Sequence, residues 1–94
     1  MIKVNYLGGI KFSAETRGHV IESDQPRDNG GTDSAMTPPE LLASSFGTCI
    51  GVYVVRYLQQ IGVDPAGMTV EVKYETVPEP LRIGRLHARV AVPA

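Results

Sequence analysis

The segment that decides the fold is Thr37-Pro38-Pro39-Glu40-Leu41-Leu42-Ala43-Ser44-Ser45-Phe46-Gly47-Thr48-Cys49. It begins as helices often begin, with Thr37 as the N-cap, Pro38 at the first helical position and Glu40 three residues after the cap. In a capping box of this kind, each side chain accepts a hydrogen bond from the backbone N–H of the other residue. The segment therefore predicts a helix that runs to about Ile61, with Gly62 at the left-handed position after its end.

The predicted helix is apolar on every side: its apolar residues include Leu41, Leu42, Phe46, Ile50, Val52, Val54, Val55 and Leu58. A helix of this composition is expected to be central and covered by a sheet or a partner. Gly47 and Gly51 lie one turn apart and would let another backbone approach closely, either a sheet or a second helix; a helix-on-helix contact in a homodimer is one candidate. The apolar stretch 41–55 is shorter than the roughly 20 residues of a membrane span, which predicts a buried helix and no membrane partner.

The residues before the helix predict strands, because 2–6 and 10–16 alternate between apolar and polar side chains and 19–23 is again extended. Arg17-Gly18 lies between the last two of these segments and predicts a tight hairpin turn, since glycine accepts the positive φ that such turns need. The stretch from Asp24 to Met36 is rich in turn-forming residues. A loop of that length is often functional or mobile.

Two further strands follow the helix, at 68–77 and 86–92, where apolar and charged residues alternate. We expect them to pair as an antiparallel hairpin with a long connection, because Pro78 and Pro80 interrupt the pattern. The order of strands, helix and strands predicts an α+β fold in which antiparallel strands flank a long central helix. The length of 94 residues predicts one domain, 1–94.

Composition excludes several classes of protein. A hydrophobic content of 43% and a charged content of 20% are typical of a folded globular domain. The net charge of −1 gives no reason to expect nucleic acid as a partner. A single cysteine excludes an internal disulfide, and the two histidines, His19 and His87, have no metal-ligand spacing, so we expect neither a metal nor another cofactor. A reducing, cytoplasmic location is the default expectation.

Cys49 is the residue most suited to chemistry. A thiol reacts as its thiolate, which needs a nearby cation, base or helix N-terminus, and Cys49 lies too far inside the predicted helix for the N-terminus to act on it. Taken alone, the chemistry of the sequence therefore favours a small hydrophobic residue in the core, as most free cysteines are. Glu40 is nine positions earlier and on the opposite side of a straight helix, so the capping box is a sufficient role for it.

The segment 37–49 resembles the helix of the OsmC/Ohr family, with the pattern Pro-x-Glu-Leu-Leu followed by Gly-x-Cys. The loop Gly30-Gly31-Thr32-Asp33 and the turn Arg17-Gly18 fit the same family, and the resemblance extends in element order over the chain. It implies an intertwined homodimer with two central helices. It also implies thiol-dependent reduction of organic hydroperoxides in oxidative-stress defence, with Cys49 as the peroxidatic cysteine and Arg17 and Glu40 as the other catalytic residues.

In that family the arginine and the cysteine meet across the dimer, where the arginine holds the thiolate. The family's resolving cysteine belongs to a C-terminal region that this chain does not contain, so the resemblance implies recycling by an external thiol reductant. Two alternatives stay open. The chain could be a non-catalytic structural module of the same fold with Cys49 in the core, or a module that binds a small molecule through the apolar helix and the 24–36 loop.

Overall fold

The structure, a computed structural model, describes residues 1–78 and 81–93. The chain divides into two compact units, Met1–Leu41 and the part from Leu42 onward, so that the boundary falls inside the helix. The elements follow the predicted order of strands, helix and strands, and all strand pairs are antiparallel. The predicted α+β fold with one long helix is therefore confirmed.

The first unit contains a three-stranded sheet of β1 (Lys3–Tyr6), β2 (Phe12–Thr16) and β3 (His19–Ser23), with β2 in the middle. Val4, Ala14 and Ile21 pair in one row across the three strands. Thr16 pairs with His19, which leaves two residues for the turn between β2 and β3. These are Arg17 and Gly18, as predicted, and both have positive φ angles of 51° and 80°.

The loop after β3 is ordered by its own hydrogen bonds. It contains a short 3₁₀ helix, Arg27–Asn29, whose last N–H donates to the Pro26 carbonyl at 2.9 Å. The two ends of the loop meet where the Asp24 N–H donates to the Met36 carbonyl at 3.1 Å. The loop therefore returns the chain from the end of β3 to the start of the helix.

Helix α1 (Pro38–Gln60) begins with the predicted capping box. The Thr37 N–H donates to Glu40 Oε1 at 2.8 Å, and the Glu40 N–H donates to Thr37 Oγ1 at 3.3 Å. The helix ends where predicted, because Gly62 takes a left-handed φ of 73° and the Val63 N–H donates to the Leu58 carbonyl at 2.9 Å.

The second unit contains an antiparallel hairpin of β4 (Thr69–Pro78) and β5 (Leu81–Ala91). The predicted long connection is wrong, because the two strands stay paired as far as Pro78 and Leu81, with an irregular register at Glu75/Thr76. Proline is tolerated at the end of a strand, where no ladder hydrogen bond depends on its missing N–H. The predicted interruption at Pro80 lies outside the described residues.

Helix α1 packs on this hairpin through its glycines. A Cβ placed on Gly47 would lie 2.8 Å from Val72 Cγ2, and one on Gly51 would lie 3.8 Å from Met68 Cε and from Val70 Cγ2. The small-residue strip therefore faces β4 of the same chain, so of the two predicted alternatives the sheet is confirmed and the helix-on-helix contact is wrong for this strip. A sheet and a second helix both need small residues opposite them, so the sequence did not distinguish the two.

The opposite face of α1 is not covered by the hairpin. Ala43, Gly47 and Leu58 are its buried residues, whereas the side chains of Leu42, Val52, Tyr53 and Tyr57 are exposed. The expectation of a helix covered on all sides is therefore met on one side only. With 23 residues and a mean hydropathy of 1.4 over its most apolar window, α1 is also long and apolar enough to cross a membrane. The sequence had predicted that the apolar stretch is too short for this. One such helix is weak evidence for a span, because core helices of soluble proteins pass the same test.

Candidate functional site

Cys49 is exposed on α1. Gly47, which faces β4, precedes it by two positions, and two residues turn a helix by about 200°, so Cys49 points away from the hairpin. The interpretation of Cys49 as a core residue is therefore wrong for this chain. The thiol is accessible to solvent, which a nucleophile must be if it is to meet a dissolved substrate.

Arg17 lies at the first position of the β2–β3 turn, with its side chain exposed. Its φ of 51° is uncommon for a residue with a Cβ, and the following Gly18 shares the left-handed conformation. The turn forms part of an open depression of about 380 Å³, which also contains Lys3, Glu15 and Thr16.

Glu40 lies in the first turn of α1, where its carboxylate accepts the Thr37 N–H. This is the structural role that the sequence alone predicts, and Glu40 does not line the depression around Arg17. Arg17 and Glu40 belong to the first unit and Cys49 to the second. The structure thus gives the local setting of each predicted site residue, and their convergence remains a prediction.

Asp24, the side chain with the lowest exposure of those described, at 2%, was not predicted from the sequence. Its Oδ2 accepts hydrogen bonds from the Thr32 and Ser34 hydroxyls, both at 2.8 Å. The same oxygen also accepts the backbone N–H groups of Thr32 and Ser34, at 3.2 and 3.1 Å. Asp24 therefore organises the loop from inside, and its partners are eight and ten residues away in sequence.

These hydrogen bonds lower the pKa of Asp24 well below its ordinary value. The side-chain hydrogen bond from Ser34 is the largest cause, followed by the backbone N–H of Gln25, whereas burial acts in the opposite direction. A carboxylate that accepts several N–H and O–H donors favours its charged form even when it is buried. Asp24 is therefore ionised throughout the physiological pH range.

Gly31 is the residue that lets the loop close around Asp24. A Cβ at this position would collide with the Gln25 carbonyl and would lie 2.7 Å from Asp24 Oδ1. The sequence signal for the cluster was the run of glycine, threonine and serine after an aspartate at a strand end. That signal indicates a turn-rich loop, but it does not indicate which carboxylate the hydroxyl groups bind.

The first unit also contains an apolar groove of about 460 Å³ between its sheet and the first turn of α1. Pro38 and Leu41 form the helix side of the groove. The sheet side consists of Val4, Phe12, Ser13, Ala14, Ile21 and Ser23. Among residues 1–78 and 81–93, no group of three His, Cys, Asp or Glu side chains is placed to hold a metal ion.

Comparisons with known proteins agree with the family resemblance. The family model described as OsmC-like protein matches residues 31–94. A crystal structure from Psychrobacter arcticus 273-4, provisionally described as an osmotic stress induced and detoxification response protein, is similar with a TM-score of 0.86 and 31% sequence identity. The match covers 95% of this chain and 66% of that one, so this chain spans less than two thirds of that protein. No curated protein gives a significant match.

Proposed function

The chain belongs to the OsmC-like protein family, and from this premise we propose that it reduces organic hydroperoxides in a stress response, with Cys49 as the attacking thiol. The observation that carries the proposal is the exposure of Cys49, at the position that corresponds to the peroxidatic cysteine in the family pattern. A core cysteine could not meet a peroxide without unfolding, whereas this thiol meets solvent in the folded chain.

The reaction begins when the Cys49 thiolate attacks the distal oxygen of the hydroperoxide. A sulfur–oxygen bond forms, the oxygen–oxygen bond breaks, and the leaving alkoxide takes up a proton to become an alcohol. Cysteine is oxidised to a sulfenic acid, the first step of thiol oxidation. The peroxide is reduced by the same two electrons.

Arg17 stabilises the thiolate in this proposal and orients the peroxide, since a guanidinium presents several N–H donors to an anion. Glu40 holds the guanidinium in place, because carboxylate and guanidinium form strong, directional hydrogen bonds. The Thr37 N–H bond fixes one oxygen of the Glu40 carboxylate and thereby fixes its orientation.

Residues 1–94 contain one cysteine, Cys49, and for this segment we propose that an external thiol completes turnover. The external thiol condenses with the sulfenic acid, releasing water and forming a mixed disulfide. A second external thiol then reduces the mixed disulfide and returns Cys49 to its starting state.

The direct test is the reaction of the purified protein with cumene hydroperoxide. We expect a second-order rate constant far above that of free cysteine, a sulfenic acid at Cys49 by mass spectrometry, and loss of both in Cys49→Ser. A rate constant no greater than that of free cysteine would contradict the catalytic function. It would leave the family membership and the fold in place.

We also propose that the active form is a homodimer and that residues 1–94 act as a single domain in the cytoplasm. The family model begins at residue 31 and extends across the boundary between the two units, which supports a single domain. The exposed apolar side chains of α1 beside Cys49 support a partner of the same kind, and we propose that this partner covers them while it leaves the Cys49 thiol open to the peroxide. Large apolar patches on a folded chain are typical of interaction surfaces.

A second candidate function is the non-catalytic binding of a small apolar molecule. The apolar groove of the first unit supports it, since its volume is within the range of small-ligand pockets and its lining is apolar apart from Ser13 and Ser23. The discriminating test is titration of Cys49→Ser with 2-phenyl-2-propanol, the alcohol that cumene hydroperoxide yields. Chemical-shift changes at Ala14 and Ile21, together with a wild-type chain that has no peroxidase activity, would favour this candidate.

A further inference from the structure

Asp24 is a buried charge to which the proposed reaction gives no role. Burial of a carboxylate is costly unless hydrogen bonds replace the water that it loses. Here Thr32 and Ser34 replace it with four donors, all directed at one oxygen. An apolar side chain would cost less to desolvate but would leave these four donors without an acceptor, so the Asp24 carboxylate fixes the geometry of the loop.

The loop must hold the first residues of helix α1 in a fixed position. The Asp24 N–H is bonded to the Met36 carbonyl, and the next residue, Thr37, is the N-cap of α1. The side chain and the backbone of Asp24 therefore tie the end of β3 to the residue that precedes the cap. Within the first unit, this tie limits where the adjacent Thr37 can lie. Because Thr37 and Glu40 are hydrogen-bonded in the capping box, it also limits the position of Glu40.

We propose that Asp24 is a positioning residue for the Glu40 carboxylate. This inference rests on the proposed peroxidase function, in which Glu40 orients Arg17. Asp24 touches neither substrate nor thiol in this role. It holds the loop so that Thr37 and Glu40 form their reciprocal hydrogen bonds, and its loss lets the first turn of α1 and the Glu40 side chain move.

The test compares Asp24→Asn with Asp28→Asn. Asp28 is an exposed acid in the same loop, and the four donors to Asp24 Oδ2 come from Thr32 and Ser34, so the Asp28 variant makes the same change of charge away from the hydrogen-bond cluster. Asparagine has one oxygen where aspartate has two, and its amide group adds donors where the loop already supplies donors. We expect faster amide exchange at Thr37 and about a tenfold lower kcat at unchanged KM in Asp24→Asn, with wild-type values in Asp28→Asn.

A second pair of variants keeps the proposal testable if Asp24→Asn does not fold. Ser34→Ala removes one of the hydroxyl donors, and Ser34→Thr retains it. We expect the alanine variant to show a weaker form of the Asp24→Asn changes and the threonine variant to restore wild-type values. A purely structural role would lower the unfolding temperature without lowering kcat at temperatures where the protein is folded.

The decisive measurement is a double-mutant cycle with Glu40→Gln. If Asp24 acts through Glu40, the loss of kcat caused by Asp24→Asn largely disappears in the Glu40→Gln background. The interaction between the Glu40 carboxylate and Arg17, on which Asp24 is proposed to act, is already absent there. Independent, multiplicative losses would overturn the inference, as would an Asp24→Asn variant that keeps the wild-type kcat. A wild-type protein no faster than free cysteine would instead overturn the proposed function on which the inference rests.

Discussion

Arg17 occupies a backbone conformation that asparagine or glycine would adopt more easily. A left-handed conformation costs a residue with a Cβ about 1 kcal/mol, and Asn-Gly is the preferred pair for a two-residue hairpin turn of this type. We therefore expect Arg17→Asn to raise the free energy of unfolding by up to about 1 kcal/mol, as measured by urea denaturation, while it lowers the reaction rate with cumene hydroperoxide at least tenfold. Arg17→Lys is the control that retains the charge.

The opposite result would be informative about the site. If Arg17→Asn stabilises the protein and leaves the peroxide reaction unchanged, the strained arginine has no catalytic role. If it destabilises the protein, the arginine side chain makes structural contacts that outweigh the strain of the turn. Backbone strain of this kind is a reason to look for function, and this pair of measurements separates the two explanations.

Glu40 has a structural role in the capping box and a proposed catalytic role, and two substitutions separate them. Glutamine still accepts the Thr37 N–H, so Glu40→Gln should unfold at nearly the wild-type temperature. Glu40→Ala loses the bond and should cost about 0.5–1 kcal/mol of stability. If the charge orients Arg17, both variants lower the peroxidase rate to a similar degree; if capping is the whole role, Glu40→Gln remains fully active.

The lowered pKa of Asp24 predicts how the free energy of unfolding depends on pH. Its pKa is lowered in the folded protein, so its stabilising effect is fully present above the unfolded value of about 3.9 and is lost as pH falls below that value. In urea denaturation between pH 7 and pH 3, the stability difference between wild type and Asp24→Asn should therefore be constant at first and shrink below about pH 4. Asp28→Asn should follow the wild-type curve. A stability difference between wild type and Asp24→Asn that stays constant down to pH 3 would contradict the lowered pKa of Asp24.

Local signals were readable in the sequence and distant ones were not. The capping box joins Thr37 to Glu40 across three residues, and the Arg17-Gly18 turn needs only its own backbone preferences, so both were predicted correctly. Asp24 binds Thr32 and Ser34 only because the loop folds back over it. Nothing in the spacing of these three residues distinguishes them from the other polar residues of the loop.

At the scale of the helix and its hairpin, Gly47 and Gly51 make a contrasting pair. Alanine at Gly51 would find ordinary contact distances, so Gly51→Ala should stabilise the protein by up to about 1 kcal/mol through helix propensity. Alanine at Gly47 would press on Val72, whose branched side chain has little rotamer freedom in its strand. We expect Gly47→Ala to destabilise by about 1 kcal/mol or more in thermal or urea unfolding.

This comparison tests which element covers the glycine strip. Two stabilising substitutions would mean that β4 does not pack against α1 as closely as the structure shows. Sequence reasoning identified the strip and the need for close packing, but the choice between a strand and a second helix depends on the tertiary fold. The same limit applies to β5, whose start at Leu81 is set by pairing with β4, although Pro78 and Pro80 indicated a break.

At the scale of the whole molecule, the exposed apolar face of α1 is the feature that supports the proposed homodimer. Leu42, Val52 and Tyr53 are exposed by 55%, 49% and 69%, and Cys49 lies among them on the same side of the helix. We expect light scattering to give twice the chain mass, and Tyr53→Lys to dissociate the dimer at concentrations where wild type is associated. Thr69→Lys adds the same charge at an exposed position of β4 and should remain dimeric, whereas a monomeric wild type would contradict the proposed assembly.

A dimer also decides which chain supplies the arginine. If Arg17 of one chain serves Cys49 of the other, a mixture of inactive Arg17→Ala and inactive Cys49→Ser chains, refolded together, regains activity. Each heterodimer then has one complete site, so random assembly should restore about a quarter of the wild-type activity. If arginine and cysteine of the same chain act together, no pairing of these two variants contains a complete site, and the mixture stays inactive. The restored fraction therefore distinguishes an interlocked catalytic dimer from two independent sites without any knowledge of the interface geometry.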